Sequence, residues 1–218
     1  MADIEHDTLT AAGPALAGER PRRSKAVGGR YAVSLPNLLT YGRIAAIPAI
    51  VLALMWKTDG GRWAALAIFI VASVTDFLDG YLARAWQQQS SLGRMLDPIA
   101  DKLLVATVLL LLVADGSIGP WSMWAAIVIL CREILVSGLR EFLAEVNVPV
   151  PVSALAKWKT VIQMVALGFL IAGDPAERVV GRAEEIGLVL LWVSALVTLY
   201  TGYDYLRAGL QHLIGDEP

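Results

Sequence analysis

The chain has 218 residues, 56% of them hydrophobic and 17% charged, with a mean hydropathy of +0.59. A soluble domain is about a quarter charged, so this balance argues against an ordinary soluble protein and for an integral membrane one. The net charge of −2 says little, because the distribution of charge matters more than its sum; no nucleic-acid partner is expected, and a single cysteine, Cys131, excludes an internal disulfide.

Residues 1–33 are polar and rich in Ala, Gly and Pro. Early acids (Asp3, Glu5, Asp7) give way to a basic cluster of Arg20, Arg22, Arg23, Lys25 and Arg30. No apolar core is present, so this is neither a signal peptide nor a span. It reads as a flexible cytoplasmic tail whose basic end rests on anionic lipid. A membrane domain over 34–213 follows, and 214–218 form a short C-terminal tail.

The membrane domain holds six hydrophobic segments, at 37–56, 62–83, 98–114, 120–142, 155–173 and 186–206. A helix needs about 20 residues, at roughly 1.5 Å each, to cross about 30 Å of hydrocarbon. The expected fold is therefore an all-α integral membrane protein with six transmembrane helices. An even count puts both termini on one side. Arg84, Arg94, Arg140, Lys157 and Lys159 join the tail cluster on that side, while the opposite connections carry Lys57, Arg62, Arg178 and Arg182. This bias makes the first side cytoplasmic. The stretch from Ser34 to Arg43 leads into the first span, with Pro36 suited to a first helical turn. It fits a short interfacial helix.

The second and third segments carry the densest chemistry. Asp76, Asp79, Gly80, Ala83 and Arg84 fall at i, i+3, i+4, i+7 and i+8, on one helical face. Gly93, Asp97 and Asp101 repeat every four residues and form a second face. Charges at membrane depth are costly and mark function. Two helices turning these faces together would gather four carboxylates, which repel one another unless cations fill the pocket. Carboxylate oxygen suits hard divalent ions such as Mg²⁺ or Mn²⁺. Asp97 before Pro98 also carries an N-cap signature, so Asp97 alone has a purely structural explanation. That explanation fails for Asp101, Asp76 and Asp79. Gly80 and Ala83 leave room for close approach to the backbone, and Arg84 suits a phosphate.

Further on, Arg132 and Arg140 lie eight apart on one helical face, as do Glu133 and Glu141. Glu133 is expected to belong to a structural ion network. Lys157 and Lys159 cannot share a helix face. Asp204 receives no chemical role.

These residues resemble a known family. The CDP-alcohol phosphotransferases carry D-x2-D-G-x2-A-R-x8-G-x3-D-x3-D, and Asp76, Asp79, Gly80, Ala83, Arg84, Gly93, Asp97 and Asp101 match it without departure. Asn37, Thr40 and Arg43 resemble the P-N-x-L-T-x-x-R of its phosphatidylglycerophosphate synthase branch. The Arg132–Glu141 helix and Ala156-Lys-Trp-Lys-Thr160 resemble that branch's acceptor-phosphate elements, although Ala156 stands where glycine is usual. The resemblance runs from about Pro36 to Tyr205.

The resemblance implies a bacterial inner-membrane, multi-pass enzyme, homodimeric, with its site facing the cytoplasm. Its reaction would move the phosphatidyl group of CDP-diacylglycerol to glycerol 3-phosphate, releasing CMP. Asp76, Asp79, Asp97 and Asp101 would serve two divalent cations, Mg²⁺ or Mn²⁺, with Asp101 also taking the acceptor's proton. Asn37, Thr40, Arg43, Gly80, Ala83, Arg84, Ser90 and Gly93 would bind CDP-diacylglycerol. Arg132, Arg140, Lys157 and Lys159 would bind the acceptor's phosphate. Two alternatives stand beside this: another acceptor (inositol phosphate, or phosphatidylglycerol giving cardiolipin) and a cation transporter using the same aspartates.

Overall fold

A computed structural model describes residues 35–86, 91–146 and 154–215. Outside the description lie the side chains of 35–36, 77–86, 91–92, 94, 154, 156–157, 204 and 208–215. The described residues form six helices and no strand: α1 (Leu35–Met55), α2 (Asp59–Trp86), α3 (Ser91–Ala114), α4 (Met123–Glu145), α5 (Ala154–Val180) and α6 (Ala183–Gly215). Each of the six hydrophobic segments lies within or largely within one of them. The tail over 1–33, the last residues 216–218 and Ser90 fall outside the described residues.

Boundaries differ from the sequence reading where polar residues continue a helix. The stretch 35–43 is the first part of α1, continuous with the rest, and not a separate interfacial element. Helix α3 begins at Ser91, so Asp97 and Pro98 sit inside it and Asp97 is no N-cap. Hydropathy marks only the apolar part of a helix. The aspartate-bearing turns extend α2 and α3 beyond it.

The helices run up and down. The main packing pairs are α5 with α6, α1 with α2, α4 with α6, α1 with α3 and α2 with α5. Ile50, Phe69, Leu104, Leu109, Leu112, Ile129, Leu167 and Leu191 fill the interior. Ala65, Ala125, Ala126 and Ala166 are buried among them and let the helix axes approach closely. Polarity is distributed in an unusual sense. Asn37, Thr40, Arg43, Lys159, Gln163, Ser194, Thr198 and Thr201 are buried, while Leu52, Val71, Leu110, Ile134, Val189 and Leu196 are exposed. A water-facing protein shows the reverse, and a lipid-facing bundle shows this pattern. Helices α1 and α6, over Asn37–Met55 and Ala183–Arg207, are long and apolar enough to cross a bilayer by composition alone.

One end of the bundle is fastened by Arg62 on α2. Its guanidinium donates to the Leu170 and Ile171 carbonyls at 3.3 and 3.4 Å. It also reaches Asp115 at 3.1 Å and Ser117 at 3.2 Å. There α5 bends at Gly173, whose φ of 51° is left-handed, and Pro175 follows two residues later. The bend leaves carbonyls of the preceding helical turn to be satisfied, and a cation at a helix C-terminal end suits them. The predicted end of the fifth span, 173, falls on this bend. The aspartate motif lies at the other end.

Candidate active site

The first turns of α1 and α3 and the C-terminal part of α2 meet at one end of the bundle. Arg43, whose side chain is fully buried, stands at their junction. Its Nη1 lies 2.8 Å from Asp76 Oδ1 and 3.1 Å from Asp97 Oδ1. The Thr40 hydroxyl, one turn earlier on α1, donates to the same Asp97 oxygen at 3.3 Å. Three helices thus converge on one guanidinium, and Asn37 is buried one turn before Thr40. Residues 37, 40 and 43 recur every three along α1, which explains why they share the inward face.

Asp101 lies one turn beyond Asp97 on α3, within electrostatic reach of Asp76, of Arg43 and of Glu133 on α4. Asp101 and Glu133 line one cavity of about 280 Å³ between α3, α4 and α5, together with Lys102, Thr160 and Gln163. Lys102 turns its ammonium back to the Pro98 carbonyl at 2.8 Å.

On α5, Lys159 is buried and its ammonium is paired with Glu133. Arg132 is turned toward α6. Its Nε donates to the Thr198 carbonyl at 3.0 Å and its Nη2 to the Thr201 hydroxyl at 3.0 Å. The close α4–α6 approach depends on Gly202, where an added Cβ would lie 3.0 Å from Arg132 Cγ. Arg132 and Arg140 both stack on the ring of the buried Tyr205, at 6.0 and 5.6 Å from its centroid. Arg140 itself is exposed.

The structure therefore brings together Asn37, Thr40, Arg43, Asp76, Asp97 and Asp101, and beside them Lys159. Gly93 is buried near the start of α3. Arg132 is occupied by backbone and hydroxyl partners on α6, whereas Arg140 and Lys159 keep positions near the end where the aspartates lie. Asp79, Gly80, Ala83 and Arg84 sit on α2 and Lys157 on α5, with side chains outside the described residues. Tyr205, which seats both arginines, carried no assigned role in the sequence. Glu133 was expected in a structural ion network, and its partner there is Lys159.

The donor set suits a hard cation. Asp76 and Asp97 already share one cationic nitrogen, so their oxygens point to a common centre of positive charge. Among the described residues no three Asp, Glu, His or Cys side chains surround a single point. The motif adds Asp79, whose side chain lies outside them.

Comparison with known proteins agrees with the motif. The sequence profile of the CDP-alcohol phosphatidyltransferases matches residues 33–200. A Rickettsia bellii protein named CDP-diacylglycerol–glycerol-3-phosphate 3-phosphatidyltransferase is 46% identical over 175 residues, covering 80% of this chain and 94% of the relative. Proteins of the same name from Cereibacter sphaeroides and Haemophilus influenzae are 39% and 37% identical, covering 83% of this chain and 97% and 96% of those relatives. With that profile spanning most of its length, and the residues matching the profile's motif gathered at one end of the bundle, the chain belongs to the CDP-alcohol phosphatidyltransferase family.

Proposed function

We propose that this chain transfers the phosphatidyl group of CDP-diacylglycerol to sn-glycerol 3-phosphate, giving phosphatidylglycerophosphate and CMP. The observation that carries the reading is the convergence of α1, α2 and α3 on Arg43, Asp76 and Asp97, in a chain whose relatives bear that activity in their names.

The supporting chemistry runs outward from this centre. A cavity of about 360 Å³ between α1 and α2 is lined by Leu38, Leu39, Ala46, Ile68 and Val71 and reaches Arg43. An apolar groove ending at a charged centre suits a substrate with acyl chains and a pyrophosphate. Asp76, Asp79 and Asp97 would hold two divalent cations, with Asp101 alongside. Bound there, Mg²⁺ or Mn²⁺ supplies charge neutralisation of the pyrophosphate. Arg43 fixes Asp76 and Asp97 in mutual register, and Arg84 binds phosphate. Asp101 takes the proton from the acceptor hydroxyl as its oxygen attacks the phosphorus bearing the diacylglycerol. The bond to the CMP phosphate then breaks. Lys159 and Arg140 attract the acceptor's phosphate.

Six membrane crossings complete the reading. The exposed apolar side chains of all six helices support it. So do Trp56, Trp63, Trp121 and Trp124, exposed at the Arg62 end, and Trp158, exposed at the other, as an aromatic belt requires.

The test is CMP release by purified protein from radiolabelled CDP-diacylglycerol, with a panel of acceptors and with or without Mg²⁺ or Mn²⁺. Products are resolved by lipid chromatography. Metal-dependent release with glycerol 3-phosphate, and not with serine, inositol or glycerol, is expected. Release with inositol phosphate alone, or no release at all, contradicts the reading; the second outcome would favour a transporter.

A further inference from the structure

Gln163 stands on α5 one turn beyond Lys159 and is 3% exposed. The two residues, four apart, occupy one helical face. Gln163 lines the 280 Å³ cavity that Asp101, Glu133 and Thr160 also line. Its amide oxygen is buried and has no hydrogen-bond partner among the described residues. Buried polar atoms are nearly always satisfied, so this one requires an explanation.

An amide oxygen accepts hydrogen bonds and needs a donor. The carboxylates across the cavity serve as acceptors, as does a phosphate, and the Lys102 ammonium is engaged by the Pro98 carbonyl. A hydroxyl supplies a donor. The cavity far exceeds the roughly 30 Å³ a water molecule occupies in the liquid, so a small polyol has room. Glycerol 3-phosphate carries two hydroxyls. One reacts and hands its proton to Asp101, which lines the same cavity. The other is left to be recognised.

We propose that Gln163 selects the acceptor: its side-chain amide, buried beside Asp101, accepts a hydrogen bond from the hydroxyl of glycerol 3-phosphate that does not react. This rests on glycerol 3-phosphate being the acceptor. It gives one face of α5 two tasks, with Lys159 addressing the phosphate and Gln163 the free hydroxyl. A site built to bind a hydroxyl rejects the analogue that lacks it, because its own polar atom is then left unpaired.

The experiment is steady-state kinetics of the full-length protein in detergent, with glycerol 3-phosphate and with 3-hydroxypropyl phosphate. The analogue keeps the phosphate and a primary hydroxyl and lacks the secondary one. Wild type should favour glycerol 3-phosphate in kcat/KM by about 10-fold or more. Gln163→Met, of similar length, should lose that preference through glycerol 3-phosphate alone, with the KM for CDP-diacylglycerol unchanged. Gln163→Asn keeps an amide and should retain an intermediate preference; it decides the matter should the Met variant not fold. An equal loss on both acceptors, an undiminished preference in the Asn variant, or a wild type indifferent to the secondary hydroxyl overturns the proposal. A wild type that uses neither acceptor yet releases CMP with another overturns the acceptor reading itself, a separate result.

Discussion

Arg43 joins two carboxylates from different helices through one nitrogen, and that geometry needs a guanidinium. A lysine offers a point charge on a flexible stem and reaches both oxygens less well. Arg43→Lys should therefore lower turnover roughly 10-fold, the worth of one charge-assisted hydrogen bond. Steady-state assays at saturating Mg²⁺ check this, and a wild-type rate would remove Arg43 from the centre. Single Asp→Asn changes at 76, 79, 97 and 101 preserve shape and remove charge. Each should cost about 100-fold or more in turnover. Asp101→Asn should differ in keeping its metal dependence at similar concentrations while losing the chemical step. At this scale the sequence was legible wherever a residue's cost of burial had no structural excuse. Asp76 and Asp101 announced themselves by charge inside apolar helices, whereas Asp97 also had an N-cap explanation that the start of α3 at Ser91 removes. The Lys159–Glu133 pair did not, because nothing in the spacing of residues on α4 and α5 says which cation a carboxylate will face.

At the scale of the helix, the fastening opposite the active site sets the course of α5. Gly173 is held left-handed, and a Cβ there would lie 2.3 Å from Arg62 Nη1. Gly173→Ala meets both strain and collision, so it should destabilise by about 1–3 kcal/mol. Thermal unfolding in detergent measures the effect. Arg62→Ala in the same background should recover the collision's share, making the pair non-additive. Turnover per folded molecule should stay near wild type, because the aspartates are at the other end; a selective loss of turnover would show the two ends to be coupled. The Lys159–Glu133 pair predicts a second stability result. Glu133→Gln leaves a buried ammonium without its counter-ion and should cost about 3–5 kcal/mol. Adding Lys159→Met should restore much of it. Helix existence was readable from hydropathy, since each apolar segment became a helix. Helix ends were less so. Helices α2 and α3 continue through the polar turns that carry the motif, beyond the apolar stretch that a hydropathy profile marks.

For the whole molecule, the exposed apolar surface and buried polar seam demand lipid on the outside. Six crossings, as proposed above, would put both termini on the side of the aspartates, the side to which the Lys/Arg bias points. Reporter fusions at each end should both show cytoplasmic activity, and termini on opposite sides of the membrane would contradict the six-span arrangement. In the sequence this expectation rests on an even count of apolar segments and the Lys/Arg bias. The sequence could not show that the bundle encloses a cavity between α3, α4 and α5. That cavity depends on residues from three helices whose pairing only tertiary structure fixes.

The central claim is that the aspartate end of the bundle moves a phosphatidyl group onto glycerol 3-phosphate. Its most direct measurement follows radiolabelled glycerol 3-phosphate into chloroform-extractable lipid, alongside CMP, with purified wild type and Asp101→Asn. The account predicts that wild type moves label into lipid in equal amount to CMP released, only when CDP-diacylglycerol is present, and that Asp101→Asn falls by about 100-fold or more. Label that stays in the aqueous phase while CMP is released, or an Asp101→Asn variant that transfers as fast as wild type, would contradict it.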